Sequence, residues 1–431
     1  MGLNASCGEQ IKIEKKFITN KVVLDEGTNK ISFPIEHMGE SHIFSIEQII
    51  ALFLVKLKEF YDTANISVTD GIVFTIPSYA SNVERQSLYD AIEIAGLKCP
   101  RIINESTSIA LNYGFFKRKD FTKEKAKTVV FVDFGHCKTT ITVAQFWPEK
   151  VKIVCHHSDR NLGGRDFDYV IMEKLGGEFE KKFGCDPREQ PRCVLRMMEG
   201  IEKARKILSA DKEAGINVDF LLEEEDLVRS LKRDEFEEMV APCIKRFETL
   251  LTETIALSGL TSEDIDSIEL VGDATRTPCI QETIKAVFGK EECSRTLNAL
   301  DTVCRGACLQ AAILSPTYNV AAFNVEDYNS LPISITYTFA DKPDAPKMMT
   351  LFDVGTSFPV TKSLSFKNKL GNMNLLIHYQ EGSKLMQGLP LQLANYTIKE
   401  GKMKHSDKGS KAEFIIKVEN SIHQIAYLQS A

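Results

Sequence analysis

Asp133 and Gly135 lie at the turn of a β-rich stretch, Thr128-Val-Val-Phe-Val-Asp-Phe-Gly-His-Cys-Lys-Thr-Thr-Ile-Thr142, and an acid beside a glycine in such a turn suits phosphate chemistry. A tight strand-turn-strand aims backbone N–H groups into a concavity that can hold phosphate oxygens. The glycine lets the main chain approach a ligand, and Asp133 stands where a carboxylate can reach a metal or a water. The same pattern also suits an ordinary hairpin. Three more loops at strand ends offer polar groups or glycines, Asn104-Glu105, Gly163-Gly164 and Gly272–Arg276, and open α/β sheets place ligands at such ends. Glu202, Arg205, Lys206 and Ser209 follow i, i+3, i+4, i+7 spacing, which makes one polar stripe on a helix. That stripe reads equally as a solvated helix face.

The elements that must position these groups alternate. Up to about Pro316, apolar β-branched runs exchange with amphipathic segments, the pattern of an α/β protein whose strands are covered by helices. Ser45 with Gln48 opens a helix over Ile46–Tyr61, and Ser81 with Glu84 opens one that stops at Gly96; both are capping-box spacings. Strands are expected at Gly71–Ile76, Arg101–Ile103, near Val151–Cys155 and at Asp266–Val271, with helices at Asp166–Phe183, Arg192–Leu208, Asp234–Leu257, Pro278–Phe288 and Asp301–Leu314. From Tyr318 the texture changes to short alternating runs, Ile333–Tyr337, Ser363–Phe366, Leu375–Tyr379 and Phe414–Val418, which predict a small antiparallel β-sandwich. Lys399–Lys411 reads as a solvated hairpin tip.

Composition narrows the function classes. A chain of 431 residues calls for roughly two to four domains. With 43% hydrophobic and 26% charged residues it is ordinary for a folded protein, and a net charge of −7 gives no invitation to nucleic acid, whose binders usually show a basic patch or a high pI, so none is expected as a partner. No apolar run is long enough for a bilayer span or a signal peptide, so no membrane partner is expected. Eleven cysteines without a Cys-x-x-Cys pair fit a reducing cytosolic or nuclear compartment. Cys304 and Cys308 share a helix face and Cys155 precedes His156-His157; packing thiols and a polar strand end are the expectation, with no structural metal.

Together and in this order, Arg101–Gly114, Val132–Gly135, Leu162–Asp168, Glu202–Ser209 and Leu270–Arg276 resemble the nucleotide-binding domain of the 70-kDa heat-shock protein superfamily, which shares the actin and sugar-kinase fold. Asp-Phe-Gly-His-Cys and Gly-Gly-Arg-Asp-Phe-Asp look more like its large, 110-kDa-class branch, whose members act mainly as nucleotide exchange factors for ordinary 70-kDa chaperones and as holdases for unfolded chains. The resemblance implies an α/β, actin-like (ribonuclease H-like) two-lobed nucleotide-binding domain, N-terminally incomplete, followed by the antiparallel β-sandwich. Residues 1–122 would be the remaining part of lobe I, 123–316 lobe II, 317–326 a linker and 327–431 a substrate-binding-like sandwich. It implies ATP or ADP with Mg²⁺ as cofactors. Glu105 and Asp133 would face the γ-phosphate, its metal and the attacking water, with Asp133 reaching Mg²⁺ through water. Gly135, His136, Gly163 and Gly164 would line the phosphates, and Glu202, Arg205, Lys206, Ser209, Gly272 and Arg276 would frame the adenosine.

Departures from the family pattern bear on activity. The family's first segment, with a second phosphate hairpin and a lysine near the γ-phosphate, would precede residue 1, so Met1-Gly2 is expected to be an interior methionine or a mistaken start, not a lipidation signal. Loss of a preorganised charge stabiliser typically slows a reaction roughly 100- to 1,000-fold. Lys138 replaces a small hydroxyl residue, to stand in for the lost lysine or to fill the cleft, and His136-Cys137 replace glycines. Asp273 stands where glycine is usual, and Leu300, next to Asp301, where Asp is usual. A carboxylate about 4 Å from a phosphate is repelled by roughly 1 kcal/mol in water and about 4 kcal/mol at an effective dielectric of 20. By this resemblance, residue 431 is expected to fall inside or just after the sandwich, ahead of the helical bundle with which the large class embraces its partner. The expectation is an ATP-binding co-chaperone, at most a weak ATPase, with a 70-kDa chaperone and unfolded polypeptides as partners. An active ATP-dependent chaperone and a scaffold that binds no nucleotide are the alternatives.

Overall fold

A strand buried on both faces reads as a near-continuous apolar run, and Lys127–Phe134 is such a run. In the computed structural model, which describes residues 2–64, 71–367, 372–399 and 413–430, this strand lies inside a mixed sheet. The chain divides into two compact units, one made of Met1–Ser108 with Gly306–Ala431, the other of Ile109–Arg305.

In the unit Ile109–Arg305, strands Ser267–Val271, Lys127–Phe134, Thr139–Trp147 and Lys150–Asp159 adjoin in that order. The first pair is parallel, with Val271 opposite Asp133, and the others are antiparallel, with Phe134 opposite Thr139 and Thr140 opposite Ser158. Strand side chains alternate between faces, so Phe131 and Phe134 pack on opposite sides of the sheet. Phe131 meets Tyr113 edge-on at 5.4 Å, while Phe134 meets Phe167 at 5.6 Å and Phe247 at 5.1 Å. Phe167 and Phe247 come from helices Gly164–Phe183 and Arg233–Ser258, which cover that second face. Helices Pro191–Leu208 and Pro278–Phe288 complete the unit, each within two residues of its sequence reading.

One ribbon of this unit has no turn signal in the sequence. Strands Glu213–Leu222 and Glu225–Lys232 pair antiparallel, and the turn between them is Glu223-Glu224, both in the left-handed region at φ 51° and 65°. Asn and Gly are the usual occupants of such a turn, so two glutamates conceal it.

In the other unit, strands Val23–Leu24, Ile31–His37 and Glu40–Ser45 form an antiparallel sheet, and Phe74–Ile76 pairs in parallel with Ile102–Asn104. Helices Ile46–Thr63 and Asn82–Ile94 start as their spacing requires: Ser45 and Ser81 each accept a hydrogen bond from the N–H of Gln48 and Glu84, whose side chains accept one back. Towards the C-terminus, Lys347–Phe352, Ile333–Phe339, Met373–Tyr379 and Gln392–Ile398 form a four-stranded antiparallel sheet, and Val360–Lys367, Glu413–Asn420 and Ala426–Ser430 a three-stranded one. Alternate residues of both, among them Ile333, Ile335, Leu375, Ile377, Ile416 and Val418, share one hydrophobic core.

This unit is knit by buried polar contacts. The Asn82 N–H donates to Tyr379 Oη at 2.8 Å, the Ala426 N–H donates to Asn82 Oδ1 at 2.8 Å, and the Thr107 hydroxyl donates to Asp327 Oδ1 at 2.7 Å. The Ile102 N–H donates to His423 Nδ1 at 3.1 Å, a bond that only a neutral imidazole can accept. Burial, and then the charge of Arg101, hold the His423 pKa below its ordinary 6.5. As the pH falls through about 6.5 the unfolded chain takes up a proton that the folded chain refuses, so the contribution is whole above that pH and is lost below it. Thermal midpoints taken at about pH 7.5 and about pH 5.5 are expected to fall further for the native chain than for His423→Gln, which keeps an acceptor but does not titrate. Equal falls would remove His423 as the source of the acid sensitivity.

Cys155 is buried, but Cys304 and Cys308 are exposed, which corrects their reading as packing thiols: helix Thr302–Leu314 buries Thr302, Gly306 and Gln310 instead and turns its cysteines outward. Residues 400–411 of the Lys399–Lys411 segment lie outside the described residues. Among the described residues, no helix is long and apolar enough to cross a membrane.

Candidate functional site

Twelve of the thirteen sequence-derived site residues fall in the unit Ile109–Arg305, gathered around the strand ends of its sheet; Glu105, half-buried as the first residue of helix Glu105–Lys117, belongs to the other unit. The floor of the site is the turn after Asp133. The Gly135 N–H donates to the Lys138 carbonyl at 3.0 Å, closing Gly135-His136-Cys137-Lys138 into a tight loop.

A second wall is laced to this turn by two backbone hydrogen bonds and one from a hydroxyl. The Gly164 N–H donates to the Gly135 carbonyl at 3.0 Å and the Arg165 N–H to the His136 carbonyl at 2.8 Å, while Thr139 Oγ1 donates to the Leu162 carbonyl at 2.7 Å. A side chain at Gly163 would collide with the His136 carbonyl. Gly272 closes the third side: its φ is +82°, and a Cβ there would collide with the Phe134 carbonyl and come 3.0 Å from Asp133 Oδ1. Glycine at 163 and 272 is therefore required by close approach, and at 272 by conformation as well.

The polar stripe divides. Arg205 turns inward, with Nε 2.6 Å from Asp168 Oδ1 and Nη2 3.0 Å from Oδ2, the two side chains being only 7% and 2% exposed. Its guanidinium lies 3.1–3.3 Å from where a Gly164 Cβ would stand, so the arginine braces the glycine wall with Nε and Nη2 engaged by Asp168. Lys206 and Glu202 stay outside as an i, i+4 ion pair at 2.8 Å, and that lysine, against some burial, holds the Glu202 carboxyl below its ordinary range. Ser209 is half-buried and donates to the Arg205 carbonyl at 3.2 Å. His136 is exposed, with Asp168 and Glu202 within its electrostatic reach. Arg276 is exposed and paired with Asp273, Nε to Oδ1 2.8 Å, so the acid that replaces glycine has an immediate counter-charge.

Asp168 is the site residue that spacing did not single out. Its signal was a carboxylate in the Leu162–Asp168 run and an arginine in the Glu202–Ser209 run, 37 residues apart, with nothing local to join them.

Lys138 faces back onto the strand end. Its Nζ lies 3.4 Å from Asp133 Oδ2, and the two side chains are 15% and 13% exposed. Anionic phosphate suits this donor set: a half-buried ammonium, a closed turn and two glycine walls. At Asp133, Oδ2 is paired with Lys138, whereas Oδ1 borders the space that glycine at 272 leaves open. Among the described residues there is no group of three or more His, Cys, Asp or Glu side chains arranged to hold a metal.

A mixed sheet flanked by helices, with glycine turns converging at its strand ends, defines an α/β protein with a ligand site at those ends. A family model described as Hsp70 protein matches residues 1–426, and the chain belongs to the Hsp70 family. Membership implies the actin-like two-lobed nucleotide-binding fold and a nucleotide ligand, typically ATP or ADP with Mg²⁺. The chain is 34% identical over 408 residues to heat shock 70 kDa protein 16 of Arabidopsis thaliana, covering 94% of this chain and 53% of that protein. It is 34% identical over 388 residues to a heat shock protein homolog of Saccharomyces cerevisiae (89% and 55%) and 37% identical over 344 residues to a 97 kDa heat shock protein of Strongylocentrotus purpuratus (79% and 38%). The chain thus spans about half the length, or less, of these relatives.

Proposed function

We propose that this chain is the nucleotide-binding and β-domain part of a heat-shock co-chaperone of the large class, binding ADP or ATP and assisting protein folding as a nucleotide exchange factor for a 70-kDa chaperone, as a holdase for unfolded chains, or as both. The observation that carries the reading is the closed wall of Gly135, Gly163-Gly164 and Gly272 beside Lys138, on a chain similar to heat-shock relatives over most of its length. Catalysis asks more than binding: phosphoryl transfer needs charge stabilisers and a positioned water, and the carboxylate proposed to hold that water is already paired to Lys138. Hydrolysis is therefore expected to be slow. The shared core of the two C-terminal sheets supports residues 327–431 as the client-binding part, and eleven cysteines outside any disulfide support a reducing cytosolic or nuclear compartment.

The test is release of labelled ADP from a 70-kDa chaperone, with aggregation of an unfolded client followed in parallel. Acceleration of release, or suppression of aggregation at stoichiometric amounts, is the expected result. Neither effect at saturating protein would sink the co-chaperone reading, and ATP turnover matching that of an ordinary chaperone and lost in Asp133→Ala would put an active ATPase in its place.

A further inference from the structure

We propose that the cavity between the turn Asp273–Arg276 and residues 295–299 takes a small organic phosphate, at a site beside the nucleotide cleft and separate from it. Of the residues expected to frame adenosine, Arg276 alone lines this cavity; Glu202, Arg205, Lys206, Ser209 and Gly272 do not. Its volume is about 460 Å³, inside the range of about 300–1,000 Å³ that suits a small molecule. The buried Leu270 and the half-buried Leu297 and Ala299 give it an apolar floor, and two exposed arginines, Arg276 and Arg295, stand at its rim. Among the described residues no aspartate or glutamate lines it, although the chain as a whole carries a net charge of −7. The cavity is thus a cationic concavity on an acidic protein, a place that gathers anions.

Both arginines are anchored without being used up. Arg295 Nη2 donates to Gln281 Oε1, and Gln281 Nε2 donates in turn to the Thr275 carbonyl at 2.8 Å, which ties Arg295 to the residue before Arg276. Arg276 meets Asp273 Oδ1 at Nε, 2.8 Å. A guanidinium carries more N–H donors than one amide oxygen or one carboxylate can accept, so each keeps donors for a further oxyanion. Asn298 adds to them: its Oδ1 accepts the Leu300 N–H at 3.0 Å, which leaves the amide group as the donor. The acid under this wall is answered elsewhere. Glu269 is 1% exposed, accepts the Thr296 N–H at 3.0 Å and its hydroxyl at 2.9 Å, and lies 3.5 Å from Lys117 Nζ. Guanidinium forks match the oxygens of a phosphate, and the apolar floor favours one that carries a carbon body over the bare ion.

Ligand-observed NMR titrations of the full chain test this, run with and without ADP at saturation. Phenyl phosphate is expected to bind saturably with a dissociation constant at or below about 1 mM in both conditions. Inorganic phosphate, which lacks the carbon body, is expected to bind at least about threefold more weakly, and benzyl alcohol, which lacks the charge, to show no saturation at about 10 mM. Arg295→Gln is expected to weaken phenyl phosphate by at least about tenfold and to leave ADP binding unchanged. Gln281→Glu, which puts an acid into the lining, is expected to do the same. An affinity for phenyl phosphate no better than for inorganic phosphate or benzyl alcohol overturns the proposal, and that comparison needs no variant to fold. Displacement of phenyl phosphate by ADP, or binding that survives both substitutions, overturns it as well. Binding of ADP without phenyl phosphate sinks this proposal alone, and binding of phenyl phosphate through Arg295 without ADP sinks the nucleotide reading alone.

Discussion

Asp168→Ala is expected to destabilise the unit Ile109–Arg305 by about 3–5 kcal/mol, because it strands the Arg205 guanidinium in a site with almost no access to water. Two short bonds, at 2.6 and 3.0 Å, now satisfy that charge, and no alternative carboxylate lies at bonding distance in the arrangement described. The measurement is urea unfolding followed by Trp147, the single tryptophan of the chain, which sits at the end of a strand in this unit's sheet. Removing both charges together tells a different story. Apolar replacement of a buried pair by groups of similar volume is often neutral, so Asp168→Leu with Arg205→Met is expected to stay within about 2 kcal/mol of the native chain. A double-mutant cycle then gives a coupling energy of at least about 1–3 kcal/mol, as contacting residues do. If Asp168→Ala shifted the midpoint by less than about 1 kcal/mol, the pair would not be buried as described.

The same pair marks the boundary of what the sequence could disclose. Helix starts at Ser45 and Ser81 were legible because a capping box is complete within four residues and satisfies donors of its own helix. Glycines at strand ends were legible for the same reason: the need for close approach is expressed in one residue type. The stripe Glu202, Arg205, Lys206, Ser209 was legible only as a face. Which member turns inward depends on Asp168, presented by a neighbouring helix, and no spacing rule within one helix contains that information. Lys138 shows an intermediate case. Its presence in the turn was visible, with both standing in for a lost lysine and filling the cleft left open, and only the fold of the loop placed its ammonium on Asp133. The Glu223-Glu224 turn and the outward Cys304 and Cys308 escaped because backbone conformation and helix orientation there are imposed by packing, against the local preference of those residues.

Gly272→Ala is expected to cost at least about 3 kcal/mol, and its size separates two effects that glycine substitutions usually mix. One is conformational: at φ +82° and ψ +136° Gly272 lies outside the left-handed helical basin, in a region that costs an L-residue roughly 1–3 kcal/mol. The other is contact, since a methyl group at 272 would run into the Phe134 carbonyl and press on Asp133, and no side-chain rotation can relieve a clash between a Cβ and backbone. Gly289 lacks the second. It also has a left-handed φ, +60°, but a Cβ there meets nothing within 4 Å, so Gly289→Ala is expected to cost only about 1 kcal/mol. Both variants lie in the unit reported by Trp147, and their midpoints in urea can be compared directly. The difference measures how tightly the Gly272 loop is pressed against the strand end that carries Asp133. A methyl group there would also press on Asp133, so Gly272→Ala is also expected to weaken ADP binding, whereas Gly289→Ala is expected to leave it unchanged. Equal costs for the two alanines would mean that the loop relaxes freely and is not pressed against the strand end.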